Sequence, residues 1–186
     1  MKKSLAVMFI VILSVGFVNA QSTKFTSKGL WELGGNIGFT SVAPDSNGLT
    51  KDAKLEIKFQ PFFGYFIDDN IQIGFIPGID LNSKENSKWT FNILAVPAYY
   101  IPVNDDNIFP YVRALAGYSR KNAENGAITQ GFTWGVGAGA KYLLSGNTLV
   151  NVGFDYIQYT FNGSGASKRT GKNDLSINAG VSYFWK

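Results

Sequence analysis

The stretch Phe132-Thr133-Trp134-Gly135-Val136-Gly137-Ala138-Gly139-Ala140-Lys141-Tyr142 alternates without a break. Phe132, Trp134, Val136, Ala138, Ala140 and Tyr142 fall on one side of an extended chain, and Thr133, Gly135, Gly137, Gly139 and Lys141 on the other. Successive side chains of a strand point to opposite faces, so a period of two predicts a strand with one apolar face. Gly135 to Gly139 resembles a nucleotide-binding loop only superficially. The G-x-G-x-x-G spacing is missing and the alternation runs straight through, which favours close packing on the small-residue face.

Working outward from this segment (Gly131 to Leu143), seven more show the same period. Toward the N-terminus they run about Gly29 to Ser41, Ala53 to Phe66, Ile71 to Asn82, Lys88 to Ile101 and Ile108 to Ser119. Toward the C-terminus they run Leu149 to Phe161, fraying after Tyr156 where Gln158 joins the apolar face, and Asp174 to Trp185. Asp68-Asp69-Asn70, Asn104-Asp105-Asp106-Asn107 and Ser145-Gly146-Asn147 are rich in turn formers and predict tight links. The alternate links, 42–52, 83–87, 120–130 and 162–173, are polar and mostly longer. An even number of alternating strands, with short turns at one end and long loops at the other, predicts an eight-stranded antiparallel up-and-down transmembrane β-barrel of the all-β class. Both termini then lie at the short-turn, periplasmic end.

Residues 1–20 read as a cleaved export signal. Lys2 and Lys3 precede an apolar run from Leu5 to Val18, and Val18-Asn19-Ala20 has the small-x-small form of a cleavage site. That run, about 14 residues, is too short for a spanning helix, which needs about 20. The predicted organisation is a signal at 1–20, a short periplasmic segment at 21–28 and the barrel at 29–186. With the leader removed, the formal charge of +4 falls to about +2, which gives no footing for nucleic acid. There is no cysteine, so neither a disulfide nor a lipid-modified cysteine is available. There is no histidine, which removes histidine-dependent hydrolase, acyltransferase and protease chemistry and the usual zinc ligand sets. No catalytic residue, metal or cofactor is assigned. Asp68-Asp69 and Asp105-Asp106 are read as turn residues.

Alternation alone leaves open which face is inside, since a secreted soluble ligand-binding barrel would also alternate. The polar face carries Glu32, Lys54, Glu56, Lys58, Asp80, Arg113, Lys141 and Asp155, mixed in sign, together with most strand glycines. That set suits a paired network in the crowded lumen of a small barrel. Trp31, Tyr65, Tyr99, Tyr142 and Trp185 come near the short-turn end and Trp89, Tyr118 and Trp134 near the loop end. Amphipathic rings so placed are expected to form the two aromatic girdles of a bilayer-spanning protein. Four prolines, Pro61, Pro77, Pro97 and Pro110, fall inside predicted strands, where each removes a ladder donor. Three lie near short-turn ends; a local bulge is expected at Pro77. In the last loop, Lys168, Arg169 and Lys172 are candidate contacts for lipopolysaccharide phosphates.

The run Phe132–Tyr142, the preceding Phe109-Pro110-Tyr111-Val112-Arg113-Ala114-Leu115-Ala116-Gly117-Tyr118 and the closing Leu175–Trp185 resemble strands of the small outer-membrane barrels of the OmpX, OmpW and OmpA-domain type. Members usually end on an aromatic residue, whereas Lys186 follows Trp185 here. The resemblance implies a monomer in the bacterial outer membrane, in contact with lipid and lipopolysaccharide. Its terminal strand would be recognised by the assembly machinery. The expected role is non-enzymatic, in envelope integrity or surface interaction through the loops. A second expectation is an OmpW-like narrow conduit for small hydrophobic molecules, lined by Leu94, Val96 and Leu115, which interrupt the polar face.

Overall fold

The computed structural model describes residues 24–46, 49–50, 54–82, 88–122, 128–163 and 170–186. Eight long strands form the wall: β1 Trp31–Ser46, β2 Lys54–Asp68, β3 Ile71–Asn82, β4 Lys88–Tyr100, β5 Ile108–Asn122, β6 Ile128–Ser145, β7 Thr148–Gly163 and β8 Thr170–Trp185. A two-residue strand, Leu49–Thr50, folds back on the end of β1. Each long strand is antiparallel to the next in sequence, and β8 pairs with β1 to close the sheet.

The pairing also sets the tilt. Leu33 faces Phe63, and the path continues through Phe75, Ala95, Ala116, Trp134, Gln158 and Asn173 back to Ala43 on β1. One circuit therefore climbs from position 33 to 43. For eight strands this stagger requires a tilt of about 40° from the barrel axis.

Most strands reach beyond their alternating segments at the loop end. Ala43 to Ser46 pair with Thr170 to Asn173, although this sequence has no apolar face. Backbone hydrogen bonding extends the ladder without any demand on side-chain pattern, so periodicity understates strand length there. The same holds for β7, which does not fray at Gln158: Gln158 pairs with Trp134 and Asn173, Ile157 is buried inward, and pairing continues to Phe161 and Gly163.

The apolar face points outward. Ile37, Phe39, Phe59, Phe132, Val136, Val152 and Ile177 are each more than half exposed, while Glu32, Gln72, Arg113, Lys141, Asp155 and Asn178 are buried inside. A soluble barrel around an apolar ligand would need the opposite arrangement, and that alternative is overturned here. At the short-turn end, residues 24–30 turn under the barrel and carry Phe25 and Leu30 into it.

Candidate functional site

The lumen is filled in layers. At the short-turn end, Phe25, Phe66, Tyr100, Phe109, Leu149 and Phe184 form an apolar floor. Above it, Lys141 on β6 reaches across to Glu32 on β1, its Nζ 2.5 and 2.6 Å from the two carboxylate oxygens. Gln72 donates to the same carboxylate at 2.8 Å, and the Tyr100 hydroxyl donates to Gln72 at 3.0 Å. The rings of Phe25, Phe62, Tyr100 and Tyr111 surround the ammonium at 5.0 to 5.7 Å. A buried charge is tolerable only when paired and hydrogen-bonded, and here both conditions are met.

A second pair follows toward the loop end. Arg113 holds Asp155 in a two-point grip, Nε to Oδ1 at 2.8 Å and Nη2 to Oδ2 at 2.5 Å, and Asn178 donates to the same carboxylate at 2.6 Å. Between these pairs a cavity of about 10 Å³, lined by Asn36, Gln72, Val96, Tyr111 and Asn151 among others, has room for about one water. A third cluster joins Lys58 and Lys172 to Asp174, at 2.5 and 3.3 Å. Lys172 also lies 4.3 Å from the centre of the Tyr159 ring.

Of the predicted network, the structure thus brings Glu32 to Lys141 and Arg113 to Asp155, and pairs Lys58 with Asp174. The side chains of Lys54, Glu56 and Asp80 lie outside the described residues. Asp174, Gln72, Tyr100 and Asn178 were not part of the predicted network. Asp174 and Asn178 share a face with Ser176 and were legible as inward, but only closure of the barrel sets them beside cations. Lys172 is corrected: it belongs to strand β8, not to a loop, because pairing with Pro44 and Tyr159 carries the ladder past it. Lys168 and Arg169 lie outside the described residues.

The outer face places Trp31 between Tyr65 and Trp185 in register at the short-turn end, with the Trp31 and Tyr65 rings 4.6 Å apart. Tyr99 on β4 and Tyr142 on β6 are exposed on the outer face, one strand apart, and Tyr118 and Trp134 lie exposed toward the loop end. The Trp89 side chain lies outside the described residues.

The wall has one seam. Pairs between β2 and β3 run from Asp68 with Ile71 up to Phe63 with Phe75 and then stop, although both strands continue. The prolines explain it. Phe66 N–H donates to Leu30 on the β1 side, so by alternation residues 65, 63 and 61 turn their nitrogens toward β3. Two residues beyond Phe63 and Phe75, the same register sets Pro61 against Pro77. That rung requires two N–H donors and has none. Pro77 therefore ends a ladder and is not a local bulge. Pro97 leaves a smaller gap, since β4–β5 pairs skip from Ala95 to Ala98. Inside the seam lies a cluster of buried apolar residues: Phe62, Ile76, Leu94, Val96, Leu115, Ile157 and Tyr159. Leu94, Val96 and Leu115 are thus together, as the second expectation required.

An antiparallel barrel closed without free edges, apolar outside and polar within, is the architecture of a membrane-spanning β-barrel. The family described as outer membrane protein beta-barrel domain matches residues 10–184, and the chain belongs to it; its place is the bacterial outer membrane. The fold is similar to Neisserial surface protein A, 15% identical with a TM-score of 0.60, covering 84% of this chain and 99% of that one. It is also similar to OprG from Pseudomonas aeruginosa, at 14% identity and TM-score 0.57, covering 88% and 99%. The E. coli outer membrane protein W follows at 16% identity and TM-score 0.53, covering 86% and 99%. At these identities the likeness is one of fold. No curated protein sequence matches the chain.

Proposed function

We propose that this non-enzymatic barrel lets a small apolar molecule that enters from the loop end leave sideways through the β2–β3 seam. The observation that carries the reading is the β2–β3 ladder that ends at Phe63 with Phe75, short of Pro61 and Pro77 and directly beside Phe62 and Ile76 of the apolar lumen cluster. Unpaired backbone at membrane depth costs several kcal/mol per group, roughly, unless it lines a cavity that satisfies it. Two prolines in register keep that costly gap open. The lumen offers no through route, because paired charges and the aromatic floor fill it. Surface interaction through the loops, the other expectation, rests on segments 47–48, 51–53, 83–87, 123–127 and 164–169, outside the described residues.

The termini face the periplasm in this reading, the loops face outward, and the two bands of aromatic rings sit at the bilayer edges. The test is uptake of naphthalene by cells carrying the chain, compared with the double variant Pro61→Val, Pro77→Val. Restored donors close the seam, so uptake is expected to fall to that of cells without the protein. Uptake equal to the parent chain would remove the lateral route.

A further inference from the structure

Residues 24–30 take no part in the wall, yet they are tied to it at several points. Gly29 N–H donates to Phe66 O at 2.8 Å and Phe66 N–H to Leu30 O at 2.9 Å, adding a rung below β1 and β2. Asn70 N–H donates to Thr26 O at 2.8 Å, which fastens the segment to the β2–β3 turn. Lys28 N–H donates to the Asp69 carboxylate at 2.8 Å. The charges at the rim, Lys24 with Asp106 and Lys28 with Asp68, are exposed and 3.7 and 3.8 Å apart, so they hold little.

What the segment holds in place is one ring. Phe25 is 2% exposed and meets Phe66, Tyr100, Phe109 and Phe184, from four different strands, at centroid distances of 5.0 to 5.4 Å. The turn that inserts it is strained: Thr26, a β-branched residue, has φ of 85°, in the left-handed region that such side chains avoid. Strain of this kind persists where the surroundings over-determine it. Directly above the ring stands Lys141, its Nζ 5.5 Å from the ring centre, and above that the one-water cavity.

We propose that residues 24–30 are a stopper whose Phe25 ring seals the short-turn end of the lumen and keeps the Glu32–Lys141 pair from water on that side. The seal stands independently of the lateral route, which concerns the other half of the barrel. Together they would leave the lumen one end open and one end shut.

The chain has no cysteine, so a single engineered thiol reports access. Ser182 is 2% exposed, faces inward and bonds to Asn151 just above the floor. The full chain carrying Ser182→Cys, refolded in detergent, is treated with a charged, water-soluble methanethiosulfonate. Adding Phe25→Gly is expected to raise the labelling rate at least about tenfold, since access from that end no longer depends on rare opening. Equal rates with and without Phe25 overturn the stopper, and so does fast labelling when Phe25 is present. The shift in gel mobility on boiling checks that each variant has folded. If Phe25→Gly does not refold, Thr26→Gly in the same background decides. Relief of strain seats the segment more firmly, so slower labelling is expected, and faster labelling overturns the proposal.

Discussion

From β6 through β7 and β8 to β1 the wall is a set of long ladders, whereas from β2 to β5 it is built around prolines. Pairs join β8 to β1 from Trp185 with Trp31 to Thr170 with Ser46, and β6 to β7 from Ser145 with Thr148 to Gln130 and Thr129. In the other half, Pro61, Pro77, Pro97 and Pro110 each sit in a strand, and the β2–β3 ladder ends at Phe63 with Phe75. The interiors differ in parallel. In the glycine-rich half several missing side chains make room for a polar one. A Cβ on Gly137 would stand 2.0 Å from Asp155 Oδ1, on Gly38 2.2 Å from Asn178 Oδ1, and on Gly139 or Gly153 2.6 Å from the Tyr111 hydroxyl. In the proline half the lumen face is instead mostly apolar, with Phe62, Ile76, Leu94, Val96 and Leu115. One half is therefore held by donors and charges; the other half lacks donors beside its apolar lumen cluster.

The hardest blow to the ladder half is Asp155→Ala. It strands the buried Arg113 and leaves Asn178 only its 3.4 Å hydrogen bond to Ser176, so urea unfolding in micelles should show a loss of about 3–5 kcal/mol. An unchanged midpoint would mean that the pair does not hold the half together. Gly137→Ala is next, because Asp155 and Arg113 must shift to admit one methyl. A loss of about 1–3 kcal/mol is expected in the same assay; Gly146→Ala, with open space around it but a φ of 49°, meets no such clash and carries backbone strain instead.

The comparison sharpens in the proline half. Pro61→Val with Pro77→Val adds donors but returns conformational freedom to the unfolded chain, so the net gain is at most about 1 kcal/mol. Hydrogen exchange is the better measure. Backbone amides of residues 54–62 and 76–82 should exchange more slowly in the double variant, and exchange at the parent rate would show that the gap has another cause. Smallest of all is Lys28→Ala at the exposed rim, where thermal or urea midpoints should move by less than about 0.5 kcal/mol.

Much of this was legible before any coordinates. The period of two gave each strand its place to within a few residues, because a wall with one apolar and one polar face writes itself into every second side chain. Boundaries at the loop end were read short, since hydrogen bonds outlast the apolar pattern there. Glu32, Lys58, Arg113, Lys141 and Asp155 shared the polar face by parity, and their mixed signs marked that face as the lumen. Their partners were not legible: Glu32 and Lys141 are 109 residues apart, and Lys58 and Asp174 116.

The amino-acid order by itself therefore determined the class of fold, through local periodicity, and the outward apolar face, through the mixed charges and glycines of the polar face; it picked out Glu32, Lys58, Arg113, Lys141 and Asp155 as lumen charges but not Asp174. Only the tertiary structure decided which charges pair, that Phe25 turns back to floor the lumen, and that the β2–β3 ladder ends at Phe63 with Phe75, short of Pro61 and Pro77. Those facts depend on register and closure. Shifting one strand by a residue would exchange every side chain between lumen and exterior, and nothing local records how far one circuit of the barrel climbs.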